Sequence, residues 1–108
     1  MGAKSQRKGR RGELQLAALL REHGFPVQAA EPLNYGTVPD LTGLSGIHIE
    51  CKRAQALNLT AALEQARKDA ERFRDGVPAV FHRRNREGWV VSMRLCDWLE
   101  LYQQAQAE

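Results

Sequence analysis

Two acids and a lysine sit close together in the stretch Pro39-Asp40-Leu41-Thr42-Gly43-Leu44-Ser45-Gly46-Ile47-His48-Ile49-Glu50-Cys51-Lys52. The pattern predicts a β-hairpin: two strand-like runs with Ser-Gly between them. A three-residue loop, Leu44 to Gly46, sets Asp40 opposite Glu50, Leu41 opposite Ile49 and Thr42 opposite His48. Side chains alternate along a strand, so Leu41, Ile47 and Ile49 share one face, and Asp40, Thr42, His48, Glu50 and Lys52 share the other. A two-residue loop would pair Asp40 with Cys51 and lose that segregation, so the first register is the expected one. Opposed side chains start roughly 5 Å apart at Cβ. Two carboxylates at that distance repel unless a cation lies between them or one takes a proton. Oxygen-only ligands suit hard divalent cations, which can polarise a phosphoryl oxygen and acidify a bound water. A lysine held beside them can bind the scissile phosphate or position the attacking water. The chemistry implied is metal-dependent phosphodiester hydrolysis.

The flanking elements must position this group. A helix is expected from about Arg10–Glu13 to His23, with Leu16, Ala17 and Leu20 at helical spacing and Gly24 and Pro26 beyond its end. Glu13 belongs to the same inward stripe. It is either an acid at the core edge, favoured by the helix N-terminal dipole, or a site residue reaching into a cleft. A short strand is expected within Phe25–Ala30, and a loop from Glu31 to Val38. After the hairpin, Asn58 or Thr60 can cap a helix to about Arg74 that buries Leu59, Leu63, Ala66, Ala70 and Phe73. Val77–His82 and Gly88–Ser92 read as two more strands joined by the polar turn 83–87. A last helix covers about Leu95–Gln104, starting as late as Asp97 if Asp97 and Glu100 form a capping box, with Leu95, Trp98, Leu99 and Tyr102 on its apolar side. Trp89 and Trp98 are expected in the core, and His48 as a strand histidine or a substrate contact. The fold class is α/β: a mixed sheet of about five strands flanked by helices.

At 108 residues the chain fits one domain, residues 10–108, behind a flexible basic arm at residues 1–9. The net charge is +3, yet Lys4, Arg7, Lys8, Arg10 and Arg11 precede any acid, leaving −2 for the rest. Such a leading segment, with a second cluster at Arg83, Arg84 and Arg86, suits a polyanion such as nucleic acid. No apolar run approaches the roughly 20 residues that span a bilayer. No signal peptide is visible, so neither a membrane nor export is expected, and the expected location is cytoplasmic. Cys51 and Cys96 lack CxxC spacing and are expected as buried, reduced thiols. No glycine-rich phosphate loop is present, and no small-molecule cofactor is expected.

Pro39-Asp40 followed by Glu50-Cys51-Lys52 resembles the PD-(D/E)xK nuclease signature, and the helix opening Lys8-Gly9-Arg10-Arg11-Gly12-Glu13 supplies the upstream acid. The basic, glycine-flanked start is similar to the Holliday junction resolvase-like branch of archaea and phages, and the likeness runs over roughly residues 8–92. The resemblance implies a restriction-endonuclease-like fold and a two-divalent-metal site using Mg2+, with Mn2+ able to substitute. It implies that Glu13, Asp40 and Glu50 are metal ligands, with the Cys51 backbone carbonyl a further one, and that Lys52 is the catalytic lysine. Some relatives carry a glutamine on the following helix; Gln65 is the candidate here, or an ordinary surface residue. Lys8, Arg10, Arg11, Arg53, Arg83 and Arg84 become candidate DNA contacts. The substrate implied is branched DNA, and two symmetric cuts in a four-way junction call for a homodimer. The competing readings are a nickase, flap or restriction-type nuclease on the same fold, or a nucleic-acid-binding module without activity.

Overall fold

The computed structural model describes the backbone of residues 3–107 and the side chains of residues 9–107. Helix α1 runs Ala3–Glu22, followed by β1 (Gln28–Ala29), a 3-10 turn (Pro32–Asn34), β2 (Leu41–Thr42), β3 (Ile47–Arg53), α2 (Leu59–Phe73), β4 (Val77–Arg83), β5 (Val90–Ser92) and α3 (Leu95–Ala107). The element order is the expected one. The five strands divide into a mixed three-stranded sheet, β3-β4-β5, and a two-stranded ribbon, β1-β2. Helix α1 starts ahead of the expected Arg10, so much of the segment expected as an arm is helical backbone. Residues 1 and 2, and the side chains of residues 3–8 including Lys8, lie outside the described residues.

The expected hairpin does not form. Strand β2 pairs antiparallel with β1, Ala29 opposite Leu41 and Gln28 opposite Thr42. Strand β3 instead pairs parallel with β4 over its whole length, from Ile47 opposite Val77 to Arg53 opposite Arg83. The chain turns at Gly43, which holds φ at +117° with its Cα against the Pro26–Val27 backbone; a Cβ there would lie 2.3 Å from the Pro26 carbonyl oxygen. Strand β2 therefore stops after Thr42, and the turn 43–46 is a corner between two sheets. What survives is the alternation along β3: Ile47, Ile49 and Cys51 pack toward the main core, whereas His48 and Glu50 are buried on the other face.

The two faces of the β3–β4 pair are covered by different helices. Leu16 and Ala17 of α1 meet Val27, Leu41, Ile49, Ala79 and Phe81 in the larger core cluster. Ala62 and Ala66 of α2 meet Val80 in a smaller one. The small alanine stripe Ala62, Ala66, Ala70, rather than the expected Leu59 and Phe73, is the buried side of α2 and lets this helix lie close over the sheet. Asn58 caps it as expected, its side chain accepting from the Ala61 N–H at 3.0 Å. Gly12 gives α1 the same closeness to β3, since a Cβ there would sit 3.2 Å from Arg53 Cβ.

Helix α3 departs from expectation in its packing. It begins at Leu95, and Leu95, Trp98, Leu99 and Tyr102 remain exposed at 41–69%. Trp98 stacks on Tyr102, with ring centroids 5.1 Å apart, instead of entering the core. Cys96, carried on the same helix, is exposed rather than buried, while Cys51 is half-buried; both are free thiols. Trp89 does pack against the main core, under the Arg83 guanidinium at 5.9 Å. Among the described residues no helix is long and apolar enough to cross a membrane.

Gly43→Ala should destabilise the chain by about 2–4 kcal/mol, because the added methyl collides with fixed backbone and the positive φ disfavours it. Urea unfolding monitored by circular dichroism measures this; a cost below about 0.5 kcal/mol would mean the corner does not hold the two sheets in place.

Candidate active site

Strand β3 supplies His48, Glu50 and Lys52 on its α2 side. Glu50 is 8% exposed and divides its carboxylate: Oε2 lies 3.6 Å from Lys52 Nζ, and Oε1 lies 3.6 Å from His48 Nε2. Glu13 arrives from α1, buried to 9% exposure one residue beyond the Gly12 close approach. Asp40 arrives from the loop ahead of β2. Its side chain contacts Glu13, and both acids lie close enough to Glu50 to feel its charge.

Two arginines hold the loop that carries Asp40. Arg10 donates to the Ala30 carbonyl and lies 5.9 Å over the Tyr35 ring. Arg72 donates to the Gly36 carbonyl, with its guanidinium 4.7 Å from the Phe73 ring. Asp40 stands between two recesses. One, of about 190 Å³, is lined by Gly9, Arg10, Glu13, Tyr35 and Asp40. The other, of about 150 Å³, holds Asp40, His48, Glu50, Asp69 and Arg72.

The acids are crowded. Burial pushes the Glu13 carboxyl up from 4.5 to about 7, helped by the Asp40 charge and hydrogen bond and by Glu50, and opposed by Arg10. Asp40 keeps solvent on its open side, yet surrounding protein and the Glu50 charge raise it too, against the Glu13 hydrogen bond and Lys52. Burial also pushes the Cys51 thiol up to about 12, with Glu13, Glu50 and Asp40 adding to it. That thiol stays neutral, so the side chain of Cys51 is core and only its backbone is a candidate ligand. A cluster that resists carrying its full negative charge fits a divalent cation, and its all-oxygen donors suit Mg2+ or Mn2+.

Asp40 and Glu50 line one recess and each lies within reach of the other's charge, without the ladder that was expected to pair them. The other candidates are more dispersed. Arg11 is exposed. Arg53 reaches Gln15 at 3.1 Å and Asn85 at 3.5 Å, tying α1 to the β4–β5 turn. Arg83 opposes Arg53 in the parallel register, and exposed Arg84 follows it, 4.0 Å from Glu87. These three gather at the C-terminal ends of β3 and β4, the end toward which Lys52 lies. Gln65 is exposed and donates to Asp69 at 3.0 Å. Asp69 and Asp75 were missed by sequence reasoning. Asp69 follows Gln65 by one helical turn on the border of the alanine stripe, a spacing that marks it once the buried side of α2 is known. Asp75 receives His48 Nδ1 at 2.9 Å, and no spacing rule links residues in different elements.

No protein-family model and no curated protein matches the chain. Among solved structures it is similar to Hjc, a Holliday junction resolvase from the archaeal hyperthermophile Archaeoglobus fulgidus. The two share 26% sequence identity over 78% of this chain and 70% of that one, with a TM-score of 0.56. The fold is that of this Holliday junction resolvase. The resolvase fold, restriction-endonuclease-like in class, supports a nuclease. Asp40 lies within reach of the charges of Glu50 and Lys52 and contacts Glu13.

The Glu13 environment predicts a pH signature. The folded chain holds a proton between pH 4.5 and about 7 that the unfolded chain has released, so stability falls as pH rises through that window. Without divalent metal, stability should fall between pH 5 and pH 8 by at most on the order of 3 kcal/mol, read as a falling melting temperature. Glu13→Gln should flatten the drop and raise the pH 8 melting temperature by several degrees. A Gln variant with the wild-type pH slope would assign the crowding elsewhere.

Proposed function

We propose that the chain is a divalent-metal-dependent DNA endonuclease that hydrolyses phosphodiester bonds in branched DNA. The observation that carries this reading is the convergence of Glu13, Asp40 and Glu50 from three separate elements, with Lys52 3.6 Å from Glu50, on a resolvase fold.

Glu13, Asp40 and Glu50, with the Cys51 carbonyl, would hold Mg2+, with Mn2+ able to replace it. A bound ion of this kind supplies Lewis-acid polarisation of the phosphoryl oxygen and a more acidic water. The protein's own residues do the rest. Lys52 is half-exposed, so its ammonium can meet a backbone phosphate while Glu50 keeps it oriented. Burial of Glu13 and Glu50 limits bulk water around the reacting group. Arg53, Arg83 and Arg84, with Lys8, Arg10 and Arg11 on the leading helix, are proposed to contact phosphates and give salt-dependent affinity. Gln65 acts by orienting Asp69.

A four-way junction has two equivalent strands to cut, and a homodimer supplies two sites. Val90, Val91, Leu95, Trp98, Leu99 and Tyr102 are all exposed, and a recess between α2, β5 and α3 opens among Leu59, Leu63, Val91, Met93, Leu95 and Trp98. An apolar surface of this kind favours burial against another chain, and the second copy is the proposed occupant.

Labelled four-way junction, flap, nicked and linear duplexes, incubated with Mg2+ or EDTA, test the activity. Symmetric cuts in the junction are expected with Mg2+ alone. Asp40→Asn and Glu50→Gln should each lower cleavage by at least about 100-fold while junction binding stays within about threefold. Binding without cleavage of any substrate under Mg2+ or Mn2+ would reject the enzyme. Trp98→Glu should convert the dimer to monomer in sedimentation velocity. A variant that stays dimeric would move the interface elsewhere.

A further inference from the structure

The recess between β3 and α2 places His48 and Asp75, which the nuclease reading leaves without a task, beside Glu50 and Asp69. His48 is 2% exposed. Its Nδ1 faces both oxygens of Asp75 at 2.9 Å, an arrangement in which Nδ1–H donates to the carboxylate. Its Nε2 is buried and, among the described residues, has no hydrogen-bond partner. That nitrogen points toward Glu50 Oε1 at 3.6 Å, too long for a hydrogen bond. Asp69, offered from α2, completes a set in which one ligand atom from each of His48, Glu50 and Asp69 lies within 4.8 Å of the others.

An orphaned imidazole nitrogen in the interior costs free energy unless something occupies its lone pair. Two ligand atoms each about 2.1 Å from one ion lie roughly 3–4 Å apart. The 3.6 Å His48–Glu50 spacing matches that requirement without rearrangement. The carboxylate on the far ring nitrogen is the partner that metal-bound histidines use to fix their tautomer and raise their basicity. Gln65, donating to Asp69 Oδ1 at 3.0 Å, holds the third ligand in the same manner. The recess, about 150 Å³ and bordered by Arg72, Phe73 and Val38, is large enough for an ion and its waters.

We propose that His48, Glu50 and Asp69 form a cation site for a borderline divalent metal, Mn2+, Co2+ or Zn2+, in preference to Mg2+. The ligand chemistry sets the preference: an imidazole nitrogen suits these metals, while Mg2+ favours oxygen and gives up its waters reluctantly. Glu50 joins this site to the acidic cluster, one oxygen facing His48 and the other Lys52. The inference goes beyond the nuclease reading and does not rest on it, because it concerns binding in the absence of DNA.

The test titrates Co2+ and, separately, Mg2+ into the metal-free full-length chain by calorimetry. Co2+ should bind at least about tenfold more tightly than Mg2+. Asp69→Asn, a same-size change on the half-buried side of α2, should lower Co2+ affinity by about 10–100-fold with the melting temperature of the metal-free protein retained. Glu13→Gln should leave the metal-induced change at His48 Nε2 in place, which separates this site from the acidic cluster. In 15N imidazole spectra, Zn2+ should shift the His48 Nε2 resonance while Nδ1 stays protonated, with His48→Gln assigning the signal. Equal Co2+ affinity in wild type and Asp69→Asn, or an Nε2 resonance unmoved by saturating Zn2+, would overturn the proposal. Co2+ binding intact alongside no junction cleavage supports this site and counts only against the nuclease.

Discussion

Mutual repulsion among partly desolvated carboxylates organises this molecule. Glu13, Asp40 and Glu50 come from a helix, a loop and a strand, and no two are neighbours in sequence. Left to themselves, such groups separate or take up protons, and Glu13 does the latter, with a carboxyl near 7. The fold holds them together only because each is fixed by apolar contacts that outweigh the electrostatic cost. Leu16 and Ala17 anchor the helix one turn beyond Glu13, and Leu41 anchors the chain one residue after Asp40. Ile49 anchors the strand one residue before Glu50. Every acid is thus adjacent or close to a fully buried apolar residue, which is how a small core can impose an unfavourable charge arrangement.

The same division runs through β3. Its apolar side faces α1 and its charged side faces α2. Helix α2 tolerates that because its buried stripe is alanine, which brings its backbone near without demanding apolar contact from His48 or Glu50. The charged side is then completed from α2 itself by Asp69 and from the α2–β4 connection by Asp75. Strand β3 thereby serves two neighbouring polar environments at once: acids and a lysine toward the front, an imidazole between carboxylates behind. Glu50 belongs to both, with one carboxylate oxygen toward each.

Helix α3 shows the opposite balance. Its apolar residues are spaced as a buried face, and spacing alone places them in a core. The core is already closed by α1 and α2, so the face has nowhere to go within one chain. Periodicity reports that a helix has an apolar side; it cannot report whether the covering surface belongs to the same molecule.

Sequence alone determined the identity and order of the elements, the two-sidedness of β3, a cap at Asn58 or Thr60 and the presence of Glu13 on an inward stripe. These depend on local periodicity and on residue chemistry, which any short window contains. It also pointed to Asp40 and Glu50 as acids on one polar side, although through the wrong pairing. Alternation dictates which side chains share a face, but not which strand lies alongside. That choice was made by the corner at Gly43, where contact with the Pro26–Val27 backbone ends β2, and by the long parallel match of β3 to β4. Tertiary structure alone decided that Asp69 and Asp75 would join His48, since that contact spans elements whose relative placement is set by core packing. It likewise decided that Trp98 would face outward.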